Sequence, residues 1–378
     1  MSALRIGIAC YPTYGGSGVL ATELGLALAD HGHEVHLFSY ARPTRLAAFH
    51  SGIQFHNVTV SSYPLFEYPP YDLALSSVMR QVMAERELDI LHVHYAVPHS
   101  MCAYVAREML GNCRTKIVTT LHGTDITILG RDPSYRDVIP FALRKSDAVV
   151  SVSQWLADET RAVFDYGGKI HVLPNFVDET RFCPRRDDRV RNELGGDKHP
   201  LVVHMSNFRS LKRPIDAVEA FNKLDRKHGA RLVLVGEGPE MTNVRELVCR
   251  YELGDSVLFL GAIDAVEDVL AAADVALFPT ESESFGLAAL EALSSAVPVV
   301  ATQVGGLPEV VEHGVCGLLA PVGDTDMLAA HLDTLLSDRT KIAQFGAAGR
   351  ERATELFSLK RSLQQHEALY ESLVGAPC

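Results

Sequence analysis

Short apolar runs of strand length alternate with helix-like segments along most of the chain, and the alternation starts afresh after a charged interval near the middle. That rhythm predicts parallel sheets, because a strand returning parallel to its neighbour needs a long crossover, and a helix packed on the sheet supplies it. In the first half, strands are expected at 4–10, 34–39, 54–60, 89–93, 116–121, 148–153 and 170–173, with helices at 19–30 and 71–86. In the second half they are expected at 201–205, 231–235, 257–260, 275–278, 299–301 and 318–321, with helices from Pro214 and over 240–251. Residues 178–200, which include Arg185, Arg186, Asp187, Asp188 and Arg189, read as a linker. A chain of 378 residues exceeds what one core organises. The fold class expected is therefore α/β, with two Rossmann-like doubly wound domains, 1–177 and 178–356, facing across a cleft, and an amphipathic helix at 357–378 crossing back to the first.

The charge balance excludes some partners. With 35 basic against 47 acidic residues, a net charge of −12, the chain lacks the cationic surplus that nucleic acid or an anionic membrane surface requires. Any anionic ligand must be met locally. No apolar stretch reaches the roughly 20 residues of a membrane span, and Met-Ser-Ala-Leu-Arg-Ile-Gly-Ile-Ala reads as a first strand, not a signal peptide. The seven cysteines are scattered without a C-x-x-C pair, which points to reduced thiols and a cytoplasmic setting. The sixteen histidines show no ligand spacing, so no metal is expected.

In parallel α/β sheets chemistry belongs on loops that follow strands. Four such loops carry suggestive residues. Glu283 and Glu291 bracket Glu-Ser-Phe-Gly-Leu-Ala-Ala-Leu-Glu after the strand at 275–278. A helix opening near Phe285 would aim the backbone N–H groups of Phe285, Gly286 and Leu287 at a phosphate or sugar oxygen, with Glu291 about a turn and a half in and Glu283 ahead in the loop. The same run also reads as Ser284 capping a helix whose glutamates favour the dipole. Arg209 and Lys212 lie three apart at the next helix entry, where cations oppose the dipole unless they hold an anion such as a diphosphate. Gly15-Gly16-Ser17-Gly18 follows the first strand without the spacing of a dinucleotide fingerprint, and equally suits helix–sheet packing. His122-Gly-Thr-Asp ends the strand at 116–121; its imidazole can serve a sugar hydroxyl or bond to neighbouring backbone. The glycine turns at 236–238 and 305–306 read as packing.

Together, Gly15-Gly16, His122-Gly-Thr-Asp, Arg209-x-x-Lys212 and Glu283-x₇-Glu291 resemble the retaining glycosyltransferases of family 4, across essentially the whole chain. The resemblance implies the GT-B architecture, a nucleotide-sugar donor held by the second domain, and no cofactor or required metal. It also implies a diphosphate bound by Arg209 and Lys212, ribose by Glu291, the donor sugar by Glu283 with the 285–287 backbone, the β-phosphate by Gly16 and the sugar 6-hydroxyl by His122. Cys10-Tyr-Pro, Gly15-Gly-Ser-Gly, Tyr68-Pro-Pro-Tyr-Asp-Leu, His94-Tyr-Ala-Val-Pro-His, Thr119-Thr-Leu-His-Gly-Thr-Asp-Ile-Thr and Ser206-Asn-Phe-Arg resemble one branch of that family. Its members open bacillithiol biosynthesis, which implies UDP-N-acetylglucosamine as donor, L-malate as acceptor and UDP as product.

Within that reading the expected catalytic residues are His122, Glu283, Arg209 and Lys212. Gly15, Gly16, Phe285, Gly286, Leu287 and Glu291 join them around the donor, and Ser17, Arg45, Tyr95 and Thr119 are the expected acceptor residues, with Arg45 as the cation for a carboxylate. A homo-oligomer is compatible with the sequence. Competing readings are a family 4 enzyme with a lipid, polysaccharide or inositol phosphate acceptor, and a non-catalytic nucleotide-sugar-binding protein. One departure from the family pattern is Ala296 before Val297-Pro298, where a glycine is usual; it bears on the helix stop.

Overall fold

The computed structural model describes every residue except 1–2, 14–15, 44, 47–49, 62–63, 112, 186–187, 225 and 376–378. The chain divides into two compact units, Met1–Asn175 with Leu359–Cys378, and Phe176–Ser358.

Unit 1 is built on a seven-stranded sheet of order β3-β2-β1-β4-β5-β6-β7. Its strands are β1 (Arg5–Ala9), β2 (Glu34–Ser39), β3 (Ile53–Asn57), β4 (Ile90–His94), β5 (Lys116–Leu121), β6 (Ala148–Ser151) and β7 (Ile170–Val172). Every pairing is parallel. The central strands are buried on both faces and mostly apolar, although β4 carries His92 and His94 and β5 carries Thr119 and Thr120; β3, at the edge, carries the polar Gln54 and His56. The helix Leu359–Val374 belongs to this unit, packed beside Ser17–Asp30. Its Tyr370 is fully buried with the hydroxyl on His92 Nδ1 (2.7 Å), and its Glu367 bonds His33 Nε2 (3.1 Å).

Unit 2 repeats the plan with six parallel strands of order β10-β9-β8-β11-β12-β13. They are β8 (Leu201–Met205), β9 (Arg231–Val235), β10 (Val257–Gly261), β11 (Val275–Phe278), β12 (Val299–Thr302) and β13 (Gly317–Ala320). Val202, Leu232, Leu234, Val275, Leu277 and Val300 form the centre of its core. In both sheets the strand order reverses beside the unit's first strand, between β1 and β4 and between β8 and β11. A crevice forms at such a point, outside the carboxyl ends of the strands.

The stretch 178–200 is not a linker. It holds a helix, Asp188–Glu193, and three of its arginines are paired inside unit 2: Arg181 with Glu267 (2.7 Å), Arg185 with Asp268, and Arg191 with Asp274 (3.0 Å), while Arg186 and Asp187 lie outside the described residues. Phe182 and Leu194 are buried. The charged run signalled ion pairs to the helix Val266–Ala272 and to the start of β11, not solvation.

Candidate active site

In unit 2 the loop after β8 is held by a chain of hydrogen bonds that starts inside the sheet. His204 Nδ1 donates to the Leu277 carbonyl (2.9 Å), leaving Nε2 to accept from Ser206 Oγ (3.0 Å), which itself accepts from the Phe208 N–H (3.1 Å). Burial lowers the His204 pKa to about 4, so the ring stays neutral and its tautomer fixed. Phe208 plugs the core, and exposed Arg209 follows it. With its amide oriented to place the oxygen toward the guanidinium, Asn207 accepts from Arg209 Nε and a terminal nitrogen, both at 3.0 Å. One turn on, Lys212 Nζ lies 2.6 Å from Glu283 Oε2, an ion pair joining two strand-end loops 71 residues apart.

The Glu283 loop is fixed on both sides. Thr280 Oγ1 and the Glu281 N–H donate to the Leu211 carbonyl (3.0 and 2.8 Å), and the Gly306 N–H donates to the Glu283 carbonyl (2.9 Å). A β-carbon at Gly305 would lie 1.9 Å from the Glu283 carbonyl oxygen, so the glycine turn after β12 is what lets this loop sit where it does. The turn after β9 backs Asn207 in the same way through Gly238. Packing is indeed the role of both turns, but what they pack is the candidate site.

The helix after this loop, Leu287–Ser294, opens two residues later than expected. Gly286 is the N-cap, at φ 105°, so Ser284 is not the cap. Glu291 is therefore one turn in. The Phe285 side chain is buried against Phe357 (centroids 5.6 Å), leaving its backbone as the part able to meet a ligand. Among the described residues no backbone carbonyl accepts from the N–H groups of Phe285, Gly286 or Leu287. A small hollow opens here, lined among others by His204, Ser206, Lys212, Thr280, Glu283 and Gly286. Arg209 is not part of that lining.

In unit 1, Gly15 lies outside the described residues, and Gly16 caps the helix Ser17–Asp30. Ser17 Oγ and Tyr95 Oη are 2.7 Å apart, and the Tyr95 ring lies 5.0 Å from that of His122. Three loops, after β1, β4 and β5, so converge on Ser17, Tyr95 and His122. His122 does not bond to neighbouring backbone through its ring; Nε2 meets His94 Nδ1 at 2.8 Å. Buried Asp125 ties two of the loops together. One oxygen accepts from the N–H groups of Gly123 (2.9 Å) and His122 (3.3 Å), the other from that of Ala96 (3.2 Å). Burial raises its pKa to about 6, opposed by those three donors. Burial also lowers His122 to about 3 and holds His94 well below the usual histidine range, so both rings are neutral.

Two expected acceptor residues are engaged by partners outside this cluster. Thr119 is fully buried, its hydroxyl bonded to Ser100 Oγ (3.0 Å) and Ser146 Oγ (2.7 Å), because it points from β5 into the layer beneath the 96–100 segment. Its side chain is not exposed to a ligand, which corrects that expectation. Arg45 pairs with Glu23 at 3.8 Å. Sequence reasoning gave no role to His94, Asp125 or His204. Among the described residues no cluster of three or more His, Cys, Asp or Glu could hold a metal ion, and no helix is long and apolar enough to cross a membrane.

Comparison with known proteins agrees with this layout. Residues 14–181 match the model of "Glycosyltransferase Family 4" and residues 186–352 that of "Glycosyl transferases group 1". The chain is 46% identical to the N-acetyl-alpha-D-glucosaminyl L-malate synthase of Bacillus anthracis, covering 97% of this chain and 96% of that protein. It is 30% identical to the D-inositol 3-phosphate glycosyltransferase of Pseudarthrobacter chlorophenolicus, over 90% of this chain and 86% of that one. Among solved structures, sucrose-phosphate synthase of Thermosynechococcus elongatus superimposes with a TM-score of 0.84 at 24% identity, over 99% of this chain and all of that one. HepE of Anabaena, solved with UDP and glucose, does so with a TM-score of 0.81 at 22% identity, over 98% of this chain and all of that one. Whole-length identity to a transferase, both family models and two parallel-sheet units with structured strand-end loops agree: the chain belongs to the family 4 glycosyltransferases of GT-B fold.

Proposed function

We propose that this enzyme transfers N-acetylglucosamine from UDP-N-acetylglucosamine to the hydroxyl of L-malate with retention, releasing UDP. The observation that carries the reading is the 46% identity to an N-acetyl-alpha-D-glucosaminyl L-malate synthase over 97% of the chain. In it, unit 2 supplies the donor contacts. Arg209 and Lys212 neutralise the diphosphate, Glu291 accepts from ribose hydroxyls, and Glu283 with the N–H groups of 285–287 takes the sugar. Lys212 donates to Glu283, so a diphosphate and this carboxylate compete for one ammonium. Unit 1 supplies Gly16 toward the β-phosphate, His122 toward the 6-hydroxyl, and Ser17, Tyr95 and Arg45 toward malate.

With no carboxylate offered as a nucleophile, the acceptor hydroxyl attacks from the face that UDP leaves, and the departing diphosphate takes its proton. Rate then derives from stabilising negative charge on UDP, where removing one donor typically costs about 3 kcal/mol. Metal independence is part of the proposal, since two cations stand where a metal would otherwise neutralise phosphate. The test is UDP release from UDP-N-acetylglucosamine with L-malate, D-malate, inositol 3-phosphate or no acceptor. Strong stimulation by L-malate alone is expected. Equal turnover without acceptor, or preference for inositol phosphate, defeats the reading.

A further inference from the structure

His94 and His122 share one proton between two facing nitrogens. Their ring planes are 22° apart with centroids at 5.1 Å and N···N at 2.8 Å, so the rings lie edge to edge and nearly coplanar, each able to use an in-plane lone pair or N–H. Both are neutral. Two arrangements are possible: His94 donates through Nδ1 and His122 carries its proton on Nδ1, or His122 donates through Nε2 and His94 carries its proton on Nε2. They differ in what is left buried, because His94 Nε2 has no hydrogen-bond partner among the described residues. The first arrangement leaves a bare lone pair there, the second an orphaned N–H, which folded proteins tolerate less.

The same pocket contains a precedent. His99 Nδ1 lies 2.6 Å from the His94 carbonyl, which can only accept, so His99 is protonated on Nδ1 and its buried Nε2 is bare and without a partner among the described residues. On the other side, His92 is engaged by the hydroxyls of Thr120 (2.6 Å) and Tyr370 (2.7 Å), so its nitrogens are not offered to His94. Thus we propose that His94 is a positioning residue that fixes His122 as the Nδ1–H tautomer, so that the strand-end imidazole presents a hydrogen-bond donor. If His122 faces a sugar hydroxyl, as in the function proposed above, it donates to the hydroxyl oxygen and leaves the hydroxyl proton for another acceptor; the tautomer itself does not rest on that reading.

The experiment is two-bond ¹H–¹⁵N NMR of the imidazoles in full-length protein labelled with ¹⁵N-histidine, with His122 assigned by its loss in His122→Phe. A pyrrole-type Nδ1 and a pyridine-type Nε2 are expected for His122, unchanged between roughly pH 5 and 8. In His94→Phe the His122 pattern moves toward the tautomeric average, and kcat falls roughly three- to tenfold with little change in acceptor KM, the scale of one lost neutral hydrogen bond. His94→Asn, whose amide nitrogen can stand near the Nδ1 position, restores both and serves as the second variant if the first folds poorly. A pyridine-type Nδ1 in the parent protein overturns the proposal, as does an unchanged pattern in His94→Phe. The expected tautomer together with full turnover in His122→Phe removes the sugar-hydroxyl reading while upholding the tautomer.

Discussion

Replacing Glu283 by glutamine should tighten UDP binding while slowing the enzyme. Lys212 Nζ and Glu283 Oε2 are 2.6 Å apart, and their side chains are 23% and 21% exposed, so the pair is shielded more than a surface ion pair and less than a core one. Exposed pairs contribute about 0.2–1 kcal/mol, and this one belongs at or slightly above the top of that range. A UDP diphosphate that recruits Lys212 competes with Glu283 for the charge of the same ammonium. In Glu283→Gln the neutral amide still accepts from the ammonium but removes the charge term, which returns about 1 kcal/mol to binding, or a roughly fivefold lower Kd for UDP. UDP lacks the sugar assigned to Glu283, so no contact is lost. Turnover falls by about ten- to a hundredfold, because a charge-assisted bond to the sugar is worth about 1.5–3 kcal/mol. Titration calorimetry with UDP measures the first effect and steady-state kinetics the second. Glu281→Gln is the control: that carboxylate pairs at 3.4 Å with Arg213, is 60% exposed, and leaves UDP affinity unchanged. Unchanged or weaker UDP binding in Glu283→Gln, with the control silent, refutes the competition.

Arg209→Ala should weaken UDP roughly tenfold or more without altering the thermal melt, and an unaltered Kd removes Arg209 from the diphosphate. Turnover should persist in excess EDTA; a loss reversed by Mg²⁺ or Mn²⁺ contradicts metal independence. Arg45→Ala should raise the malate KM well beyond the donor KM, with Arg45→Lys keeping only part of the parent affinity for want of the planar fork; malate kinetics matching the parent move the carboxylate contact elsewhere. Ala296 ends the helix Leu287–Ser294 at φ 59°, its N–H on the Leu293 carbonyl (2.9 Å) and the Val297 N–H on that of Ala292 (2.9 Å), a left-handed stop that suits glycine. Relief of about 1–2 kcal/mol of backbone strain, less about 0.4–1 kcal/mol of extra chain entropy, makes Ala296→Gly about 0.5–1 kcal/mol more stable by denaturant unfolding, and a lower midpoint counts against the argument.

The strands could be read locally because parallel strands covered on both faces are predominantly apolar, a pattern that survives without knowledge of partners even where β4, β5 and β8 carry buried histidines or threonines. The loops that carry the candidate site were legible for the same reason, since parallel topology sends ligands to the carboxyl ends of strands. Residues 178–200 went the other way. Arg181, Arg185 and Arg191 look like solvated linker charge in sequence, but their partners Glu267, Asp268 and Asp274 lie 83 to 86 residues further on.

The sequence by itself settled the fold class, the strand-end position of His122, Lys212 and Glu283, and the resemblance to a transferase family. Tertiary structure alone decided which of these groups meet. His94 reaches His122 across 28 residues and Lys212 reaches Glu283 across 71, distances over which no local periodicity carries information. It also decided Thr119 against Thr120. Neighbours in a strand point to opposite faces, and with both faces of β5 buried the pattern of apolar residues does not say which side holds Ser100 and Ser146 and which holds His92. Only the packing of the surrounding layers assigns one hydroxyl to the core beneath the 96–100 segment and the other to the histidine cluster.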